Sequence, residues 1–530
     1  MKEFHTIFNN ALAPITPGPS SSNTCGPIRI GRICNRILGG VPAKVRVEYY
    51  SGGAFVTTLY GMKSDIAYVN GILGKEQNAP DFKDGYENAE KAGMEISFAM
   101  VDDLTVGGSE VLRSRMTAQD GTELSVIGES LGGGAVRMHF IDDCPVNIDG
   151  TSYELVVFLK EPSREAAEKL KAEMENRIGH LNGVSVSCGS RYAIVNVKSG
   201  VAIPEELTEE LKARPEVLRV RTIEPVHPEV CDMTREVPFE DGKGFAAYCE
   251  EKGCSPARAA IDYEMAASGW TEEQVRSYCD MLIGIMKDSL EGGYREDLRF
   301  DGIVEPKARG MRGHIGTGRM PSLGLLNTAI PAALSVMEHS NAAGKIVCVP
   351  TGGSSGIVPG LLLSAADQMG LDGDALYEAM MTAGMIGVLM MVDGNEFNGG
   401  MNGCQAEIAC GTAMAAAGLV QMIGGTAQNV CDAASMSLQS LLGLICDPVA
   451  GLVQVPCLAR NMAAVSIAAT AAEAVCAGFE VVIPFDEMTA TMVRVGREIA
   501  AHLGFCCNGC IMTDTAQRLT CAYNKKMGLA

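Results

Sequence analysis

Three cysteines interrupt an otherwise apolar stretch of the chain, and thiolates are ligands that iron, zinc and copper accept readily. Cys404 lies in NGGMNGCQAE, Cys446 in GLICDPVAGLVQ and Cys457 in LVQVPCLARN. The glycines and prolines around them allow the backbone to bend the three side chains towards one point. None of the local spacings is a C-x₂-C ligand pair of the zinc or ferredoxin kind. Spacing alone favours three buried packing cysteines, with a shared metal as the alternative.

Two polar loops offer hydroxyls and backbone N–H groups of the kind that hold a carboxylate or phosphate. PGPSSSNTCGP, at 17–27, contains Ser20, Ser21, Ser22, Asn23 and Thr24. CVPTGGSSGIVPG, at 348–360, contains Gly353, Ser354 and Ser355 and lacks the Gly-Lys-Ser/Thr ending of a Walker loop. Composition alone favours a flexible segment for the first loop, and the second loop alone is a weak signal.

A further cysteine group, CCNGC at 506–510, does contain a C-x₂-C pair, formed by Cys507 and Cys510. Such a pair in a glycine-containing turn indicates redox chemistry or metal binding. The flanking βαβ pattern of a free-standing redox motif is missing. Packing cysteines therefore remain the alternative.

The composition describes a globular protein large enough for several domains and at least one large core. The 530 residues are 47% hydrophobic and carry a net charge of −21, which argues against nucleic-acid binding. The sequence shows no secretory signal and no membrane span, so we expect a cytoplasmic protein. Its 19 cysteines then call for metal, redox chemistry or packing, because disulfides are rare in that compartment.

The patterning along the chain predicts an α+β protein with several domains. Residues 1–150 mix strands, glycine-rich turns and short helices, which indicates a mixed α/β domain. Residues 151–228 read as βαββαβ, the ferredoxin-like order that amino-acid-binding ACT modules share. A linker at 229–242 follows. We expect 243–530 to form an all-helical domain, because long Ala/Met/Leu/Gly segments with few charges are typical of buried helices.

In this order the segments resemble the iron–sulfur-dependent L-serine dehydratases (L-serine ammonia-lyases), over most of the chain. GPSSSNTCGP is similar to the serine-rich motif of that family, and the βαββαβ segment to its ACT-like domain. PTGGSSGIVPG, NGGMNGCQAE, LGLICDPVAGLVQVPCLARN and VVIPFDEM resemble successive catalytic motifs. The family's beta and alpha parts, which can be separate chains, look fused here with the smaller part first.

The resemblance implies a 4Fe–4S cluster held by Cys404, Cys446 and Cys457, with one iron left open to act as a Lewis acid on the hydroxyl of L-serine. Deamination to pyruvate and ammonia would then need no pyridoxal phosphate. The implied contacts to the amino-acid substrate come from the two polar loops and from Asn398. We expect no nucleic-acid or membrane partner, and a homodimer, since fused ACT-like modules usually pair.

Two departures from the family pattern bear on the proton acceptor and on the open iron. Asn23 stands where the family has histidine, and LYGMKSDIAYVNGILG lacks a second expected histidine. Asparagine cannot act as a base, so the base is unassigned. His314 and Lys345 are weak candidates for this role, with surface or packing residues as the alternative. Some members cap the open iron with a cysteine, and Cys506, Cys507 or Cys510 is the candidate here.

Three alternatives to a serine lyase remain. The same lyase chemistry could act on another small β-substituted substrate, such as cysteine or a hydroxy acid, which the missing histidines motivate. A non-catalytic iron–sulfur sensor or structural protein would keep its cluster without turnover. A zinc protein would be colourless.

Overall fold

A computed structural model describes residues 5–104, 106–318, 321–392, 397–503 and 508–527 of the chain. Two compact units are present, and they do not follow the order of the sequence. One unit, which we call the mixed unit, contains Ser22–Glu236. The other, the helical unit, combines His5–Ser21 with the described residues of Val237–Ala530. This division is coarser than the predicted boundaries at residues 150, 228 and 242, which stay predictions.

The strands of the described residues form three sheets. In chain order they are β1 (Ile15–Pro17), β2 (Lys44–Tyr50), β3 (Glu95–Val101), β4 (Val111–Thr117), β5 (Glu123–Gly132), β6 (Ala135–Ile141), β7 (Cys144–Ile148), β8 (Tyr153–Leu159), β9 (Leu181–Cys188), β10 (Ala193–Ser199), β11 (Val217–Ile223) and β12 (Lys345–Val347).

The α-helices of the described residues dominate the second half of the chain. In chain order they are α1 (Gly26–Leu38), α2 (Phe55–Thr58), α3 (Ser64–Ile72), α4 (Gly85–Lys91), α5 (Arg164–Arg177), α6 (Glu205–Lys212), α7 (Gly242–Lys252), α8 (Pro256–Ser268), α9 (Glu272–Gly293), α10 (Ala308–Arg312), α11 (Leu326–Asn341), α12 (Ile357–Met369), α13 (Gly373–Leu389), α14 (Gly399–Asn402), α15 (Ile408–Ile423), α16 (Ala427–Leu441), α17 (Cys457–Cys476), α18 (Phe485–His502) and α19 (Asp514–Lys526).

The mixed unit contains a six-stranded sheet in the order β3-β2-β4-β5-β6-β7. Strands β2 and β3 are parallel, and every other neighbouring pair is antiparallel. Alternation in β2 buries Val45, Val47 and Tyr49. Helix α1 covers the sheet with isoleucines that include Ile30 and Ile37, which share one helical face.

The second sheet of the mixed unit confirms the predicted βαββαβ order. Its elements are β8, α5, β9, β10, α6 and β11, and the sheet order is β11-β8-β10-β9 with antiparallel neighbours. This is the ferredoxin-like arrangement. Leu155 and Val157 of β8 pack with Leu170 of α5 and Leu211 of α6 in its core. That this is an ACT-type module stays a prediction.

Helix α15 lies at the centre of the helical unit and packs against α12, α13, α16 and α17. Every residue from Ile408 to Val420 is buried, as an uncharged, alanine-rich sequence predicts. The stretch Cys404–Ile423 is long and apolar enough to cross a membrane, with a mean hydropathy of 1.4, but 78% of its window is buried. That is the burial of a core helix.

The helical unit is not entirely helical, which corrects the all-helical expectation for this part. Strand β1 pairs antiparallel with β12, so that Ile15 faces Val347. The segment before β1 is anchored by a fully buried carboxylate, since Glu264 accepts hydrogen bonds from the N–H groups of Ile7 (2.7 Å) and Phe8 (3.3 Å). These long-range contacts place residues 5–21 in the helical unit.

Candidate functional site

The glycine–serine loop after β12 is shaped by its own hydroxyls. Ser354 Oγ donates to the Val349 carbonyl oxygen at 2.9 Å and lies 3.1 Å from Thr351 Oγ1. Ser355 Oγ donates to the Gly352 carbonyl oxygen at 2.9 Å. Both serines are fully buried. The two predicted substrate contacts therefore first determine the shape of the loop, which leads directly into α12.

The first half of the serine-rich segment packs against this loop. A Cβ atom on Gly352 would lie 2.5 Å from the Pro19 carbonyl oxygen, 2.9 Å from Ser20 Cα and 3.0 Å from Ser21 N. Such distances leave no room for a side chain, so glycine is required at residue 352. The structure thus brings Ser20 and Ser21 together with the loop that contains Gly353, and a contact of either loop with substrate stays a prediction.

The second half of the serine-rich segment belongs to the mixed unit, where its polar groups are engaged. Asn23 Nδ2 donates to Glu110 Oε1 (2.7 Å) and to Ser22 Oγ (3.0 Å), and Asn23 Oδ1 accepts from Thr58 Oγ1 (2.7 Å). Thr24 Oγ1 donates to the Met62 carbonyl oxygen at 2.7 Å. The amide of Asn23 has these partners inside one unit, and its contact with substrate stays a prediction.

Gln405 brings the Cys404 and Cys446 segments together. Its backbone N–H donates to the Leu444 carbonyl oxygen at 3.2 Å, and its side-chain oxygen accepts from Gly443 N at 2.8 Å. Gly403, at φ 72°, precedes Cys404, and a Cβ there would lie 2.5 Å from the Leu444 carbonyl oxygen. Glycine alone tolerates both this backbone conformation and this close approach.

Arg460 joins the third cysteine segment to the other two. It lies one helical turn after Cys457 in α17, and its Nη1 donates to the Ile445 carbonyl oxygen at 2.9 Å. Nη2 lies 2.9 Å from Asp447 Oδ1, and the guanidinium also hydrogen-bonds to the Cys404 thiol. One mostly buried cation therefore contacts Cys404 itself and both neighbours of Cys446, and it lies one turn from Cys457.

The surroundings of Cys404 and Cys457 oppose ionisation of their thiols. Burial and the neighbouring Glu407 raise the pKa of Cys404 to about 12. Burial, followed by the proximity of Cys404, raises the pKa of Cys457 well above its ordinary value. Burial lowers the pKa of Arg460, but Cys404 and Asp447 outweigh it and raise that pKa. Bound iron would supply the positive charge that keeps such thiols deprotonated.

Glu407 is a functional candidate that the sequence motifs did not single out. A Cβ on Gly353 would lie 3.2 Å from Glu407 Oε1, and a Cβ on Gly399 would lie 2.6 Å from Oε2 and 3.1 Å from Cys446 Sγ. Thr351 donates a hydrogen bond to the carboxylate. Burial raises the pKa of Glu407 to about 7, while Thr351 and Arg460 act in the opposite direction. A partly buried carboxyl group thus lies between the loop and the cysteines.

This cluster lies in the part of the chain that matches a known family. The serine dehydratase alpha chain family matches residues 198–506, which is more than half of the sequence. The chain belongs to this family. The resemblance that its motifs carry is therefore confirmed.

Relatives of this serine dehydratase family member come in two lengths. The L-serine dehydratase alpha chain of Peptoniphilus asaccharolyticus is 35% identical over 256 residues, 48% of this chain and 87% of that protein. A probable L-serine dehydratase alpha chain of Bacillus subtilis is 31% identical over 265 residues, 50% of this chain and 88% of that protein. L-serine dehydratase 2 of Escherichia coli K12 is 26% identical over 503 residues, 91% and 93% of the two chains. The last match therefore extends over the beta-like and the alpha-like part of this chain, in a single relative.

Cys510 lies beside the Cys446 segment of this family member. Its backbone N–H donates to Asp447 Oδ2 at 2.8 Å, and its thiol hydrogen-bonds to the same carboxylate. Burial, followed by Asp447, raises the pKa of Cys510. Cys506 and Cys507, the other predicted caps, lie outside the described residues.

The remaining predicted site residues are placed as follows. Asn398 Oδ1 accepts from Gly400 N (2.8 Å) and Met401 N (3.2 Å) and so caps α14. His314 lies in an exposed turn and Lys345 is exposed at the start of β12, so a role for either as base stays a prediction. Cys410 is buried in α15 with its Sγ 3.9 Å from Met492 Sδ, in keeping with packing.

Among the described residues, no group of three or more His, Cys, Asp or Glu side chains is arranged to hold a single metal ion. A cubane cluster sets a different requirement, because each cysteine binds a different iron and the sulfurs stand further apart than ligands of one ion. No disulfide joins the described cysteines. The donor set, one buried and two partly buried thiols beside a cation, fits an anionic cluster.

Asn461 connects α17 to the glycine–serine loop, and its loss should destabilise the site. Asn461 Nδ2 donates to the carbonyl oxygens of Gly353 (2.7 Å) and Cys457 (2.9 Å), and Oδ1 accepts from Gly356 N (3.2 Å). Asn461→Ala removes these three hydrogen bonds and leaves the Gly353 carbonyl and the Gly356 N–H without this partner, so we expect a loss of about 2–3 kcal/mol in the free energy of unfolding. Denaturant unfolding measures it, with exposed Gln517→Ala as control. Equal stability of the two variants would contradict this role.

Proposed function

We propose that this chain is an iron–sulfur-dependent lyase that deaminates L-serine to pyruvate and ammonia. The observation that carries the proposal is the convergence of the Cys404, Cys446 and Cys457 segments on Arg460, in a member of the serine dehydratase alpha chain family. The names of the relatives supply the substrate. The convergence supplies the reason to expect a cluster.

The proposed cofactor is a 4Fe–4S cluster held by the three cysteines. When bound, it supplies an open iron that acts as a Lewis acid on the substrate hydroxyl, so the reaction needs no pyridoxal phosphate. Arg460 offsets part of the negative charge of three thiolates, and its pairing with Asp447 fixes its position. The near absence of charge in α15 keeps water from the apolar side of the site.

The chain's own residues bind and orient the substrate in this proposal. The loop containing Gly353, Ser354 and Ser355 offers backbone N–H groups to the carboxylate, and Ser20 and Ser21 lie against that loop. Asn398 orders the turn that leads to Cys404. Glu407 lies between the loop and Cys446, where a substrate held at both ends presents its α-carbon.

Glu407 is the proposed acceptor of the α-proton, a role for which Asn23 is chemically unsuited. The carboxylate takes the proton as the hydroxyl departs, and the resulting aminoacrylate tautomerises and hydrolyses to pyruvate and ammonia. The Thr351 hydroxyl, which donates to the carboxylate, holds it in place.

Two alternatives differ in what they predict. Another small β-substituted substrate, such as cysteine or a hydroxy acid, would give a higher kcat/KM than L-serine in a substrate panel. A non-catalytic cluster protein would show iron and sulfide without release of ammonia from any of them. We also propose that the protein is cytoplasmic and forms a homodimer. Sedimentation of the full chain tests the homodimer.

Replacement of the proposed ligands should remove the cluster. In Cys404→Ala, Cys446→Ala or Cys457→Ala we expect iron and sulfide near background, loss of visible absorption, and no ammonia release, since each change removes one of the three thiolates proposed to hold the cluster. Anaerobic spectra with iron and sulfide analysis measure this. Cys410→Ala is the matched control because that buried cysteine has no proposed ligand role. A colourless wild-type protein that retains zinc would overturn the proposal.

Replacement of Glu407 should separate proton removal from cluster binding. In Glu407→Gln we expect unchanged iron and sulfide but a kcat about 10²–10⁴-fold lower, the usual effect of losing a general base. Exchange of the α-proton of serine with D₂O should fall equally. Glu378→Gln, at a half-buried glutamate of α13, is the control. A change confined to KM would instead indicate that Glu407 binds the substrate ammonium.

We propose that Cys510 caps the open iron of the resting protein. Because serine must first displace a capping thiol, wild type should show a lag before ammonia release reaches a steady rate. Cys510→Ala should abolish this lag and change the EPR spectrum of the reduced cluster to the one that wild type shows after serine binds. Exposed Cys521→Ala should leave both unchanged. If the lag persists even when Cys506, Cys507 and Cys510 are all replaced by alanine, no tail cysteine is the cap.

A further inference from the structure

The turn between α7 and α8 places two cysteines in a defined structural relationship. Helix α7 ends at Lys252, and Gly253 follows in the left-handed conformation at φ 62°. The N–H of Cys254 donates to the Cys249 carbonyl oxygen at 3.1 Å, and that of Gly253 to the Glu250 carbonyl oxygen at 3.4 Å. This pair of bonds is the Schellman motif, which satisfies the last carbonyls of a helix.

The motif brings the side chains of Cys249 and Cys254 together. The two residues joined by the hydrogen bond that spans more of the sequence, here Cys249 and Cys254, commonly make a side-chain contact across the turn. Here both are cysteines, and the neighbouring Cys254 thiol contributes to raising the pKa of Cys249. The Cys249 sulfur also lies 3.9 Å from the Ser255 carbonyl oxygen, at the start of α8. The pair is therefore held by the backbone of both helices.

The two thiols differ in their access to solvent. Cys249 is 7% exposed, whereas Cys254 is only partly buried. Burial, followed by the neighbouring Cys254, raises the pKa of Cys249 to about 12, so it stays protonated. A reagent from solvent meets Cys254 first, and the protonated Cys249 stands behind it. Exposed and buried partners of this kind are typical of an attacking and a resolving cysteine.

We propose that Cys249 and Cys254 form a reversible thiol–disulfide site that reacts with hydroperoxides. Cys254 attacks the outer oxygen of ROOH, the O–O bond breaks, and Cys254 sulfenic acid and ROH form. The Cys249 sulfur then attacks the Cys254 sulfur, the S–O bond breaks, and the hydroxyl leaves with the Cys249 proton as water. The dithiol loses two electrons and two protons, and a small dithiol reductant reverses the change.

A third cysteine lies in the neighbourhood and serves as a control. Cys431 of α16 is buried, and its Sγ lies 3.7 Å from the Gly242 carbonyl oxygen at the opposite end of α7. Cys249 contributes to raising the pKa of Cys431, after burial and nearby acidic groups. The Cys249 thiol donates to the Ser255 carbonyl oxygen, the residue after Cys254, whereas the Cys431 thiol donates to Gly242 at the other end of α7, so the expected disulfide is within the turn.

The proposal concerns the thiols of the α7–α8 turn, and it does not depend on the lyase activity. Full-length protein with reduced thiols is treated with hydrogen peroxide, alkylated and digested with trypsin. Cleavage at Lys243, Lys252 and Arg258 puts one cysteine in each of two adjacent peptides, 244–252 and 253–258. We expect these peptides to appear joined, two hydrogen atoms lighter than their sum, and to separate after reduction with dithiothreitol.

The variants determine which cysteines take part. Cys254→Ser should abolish the joined species, and Cys249→Ser should leave Cys254 over-oxidised to sulfinic or sulfonic acid. Cys431→Ala should leave the joined species unchanged. A disulfide between Cys249 and Cys431, or over-oxidised Cys254 next to alkylated Cys249 in the wild type, would overturn the proposal. Circular dichroism of each variant confirms that it is folded.

Discussion

The contacts of one guanidinium, that of Arg460, tie together the segments on which the candidate site depends. A mostly buried cation is costly unless charged and polar partners surround it. Arg460 finds them in Asp447, the Ile445 carbonyl oxygen and the Cys404 thiol, which come from two separate segments outside its own helix. Because Arg460 follows Cys457 by one helical turn, satisfying its charge also fixes where that cysteine lies. The geometry of the thiols is thus a consequence of charge burial.

Close backbone approach is the second constraint, and it explains where the glycines of the site lie. Gly352 has the Pro19–Ser21 backbone against it, and Gly403 has the Leu444 carbonyl oxygen against it. A side chain at either residue would force apart two segments whose backbones are in close contact. The polar loops therefore meet through their backbones, with Ser354 and Ser355 hydroxyls bonded inside the loop. Backbone N–H groups, rather than serine side chains, are the more available anchors for an anion.

The sequence predicted the parts of the fold whose patterns are local. The βαββαβ order follows from strand alternation and helix periodicity in 151–228, and the burial of α15 follows from its lack of charge. The pairing of β1 with β12 and the anchoring of Ile7 by Glu264 join residues hundreds of positions apart, which no local pattern reveals. Glu407 and Arg460 were missed for the same reason. Their one signal was charge in an apolar stretch, which Glu407 shows three residues after Cys404 and Arg460 three residues after Cys457.

The cysteines of this chain differ in chemistry because they differ in environment. Cys410 packs in a core helix beside Met492, where burial in apolar surroundings leaves a thiol inert. Cys404 is buried and Cys457 is partly buried, but a cation and a carboxylate lie beside them, which makes that place suited to a charged inorganic group. Cys254 is partly exposed and has a second sulfur beside it. Burial alone therefore does not identify a functional cysteine in this chain. The group that lies next to the sulfur does.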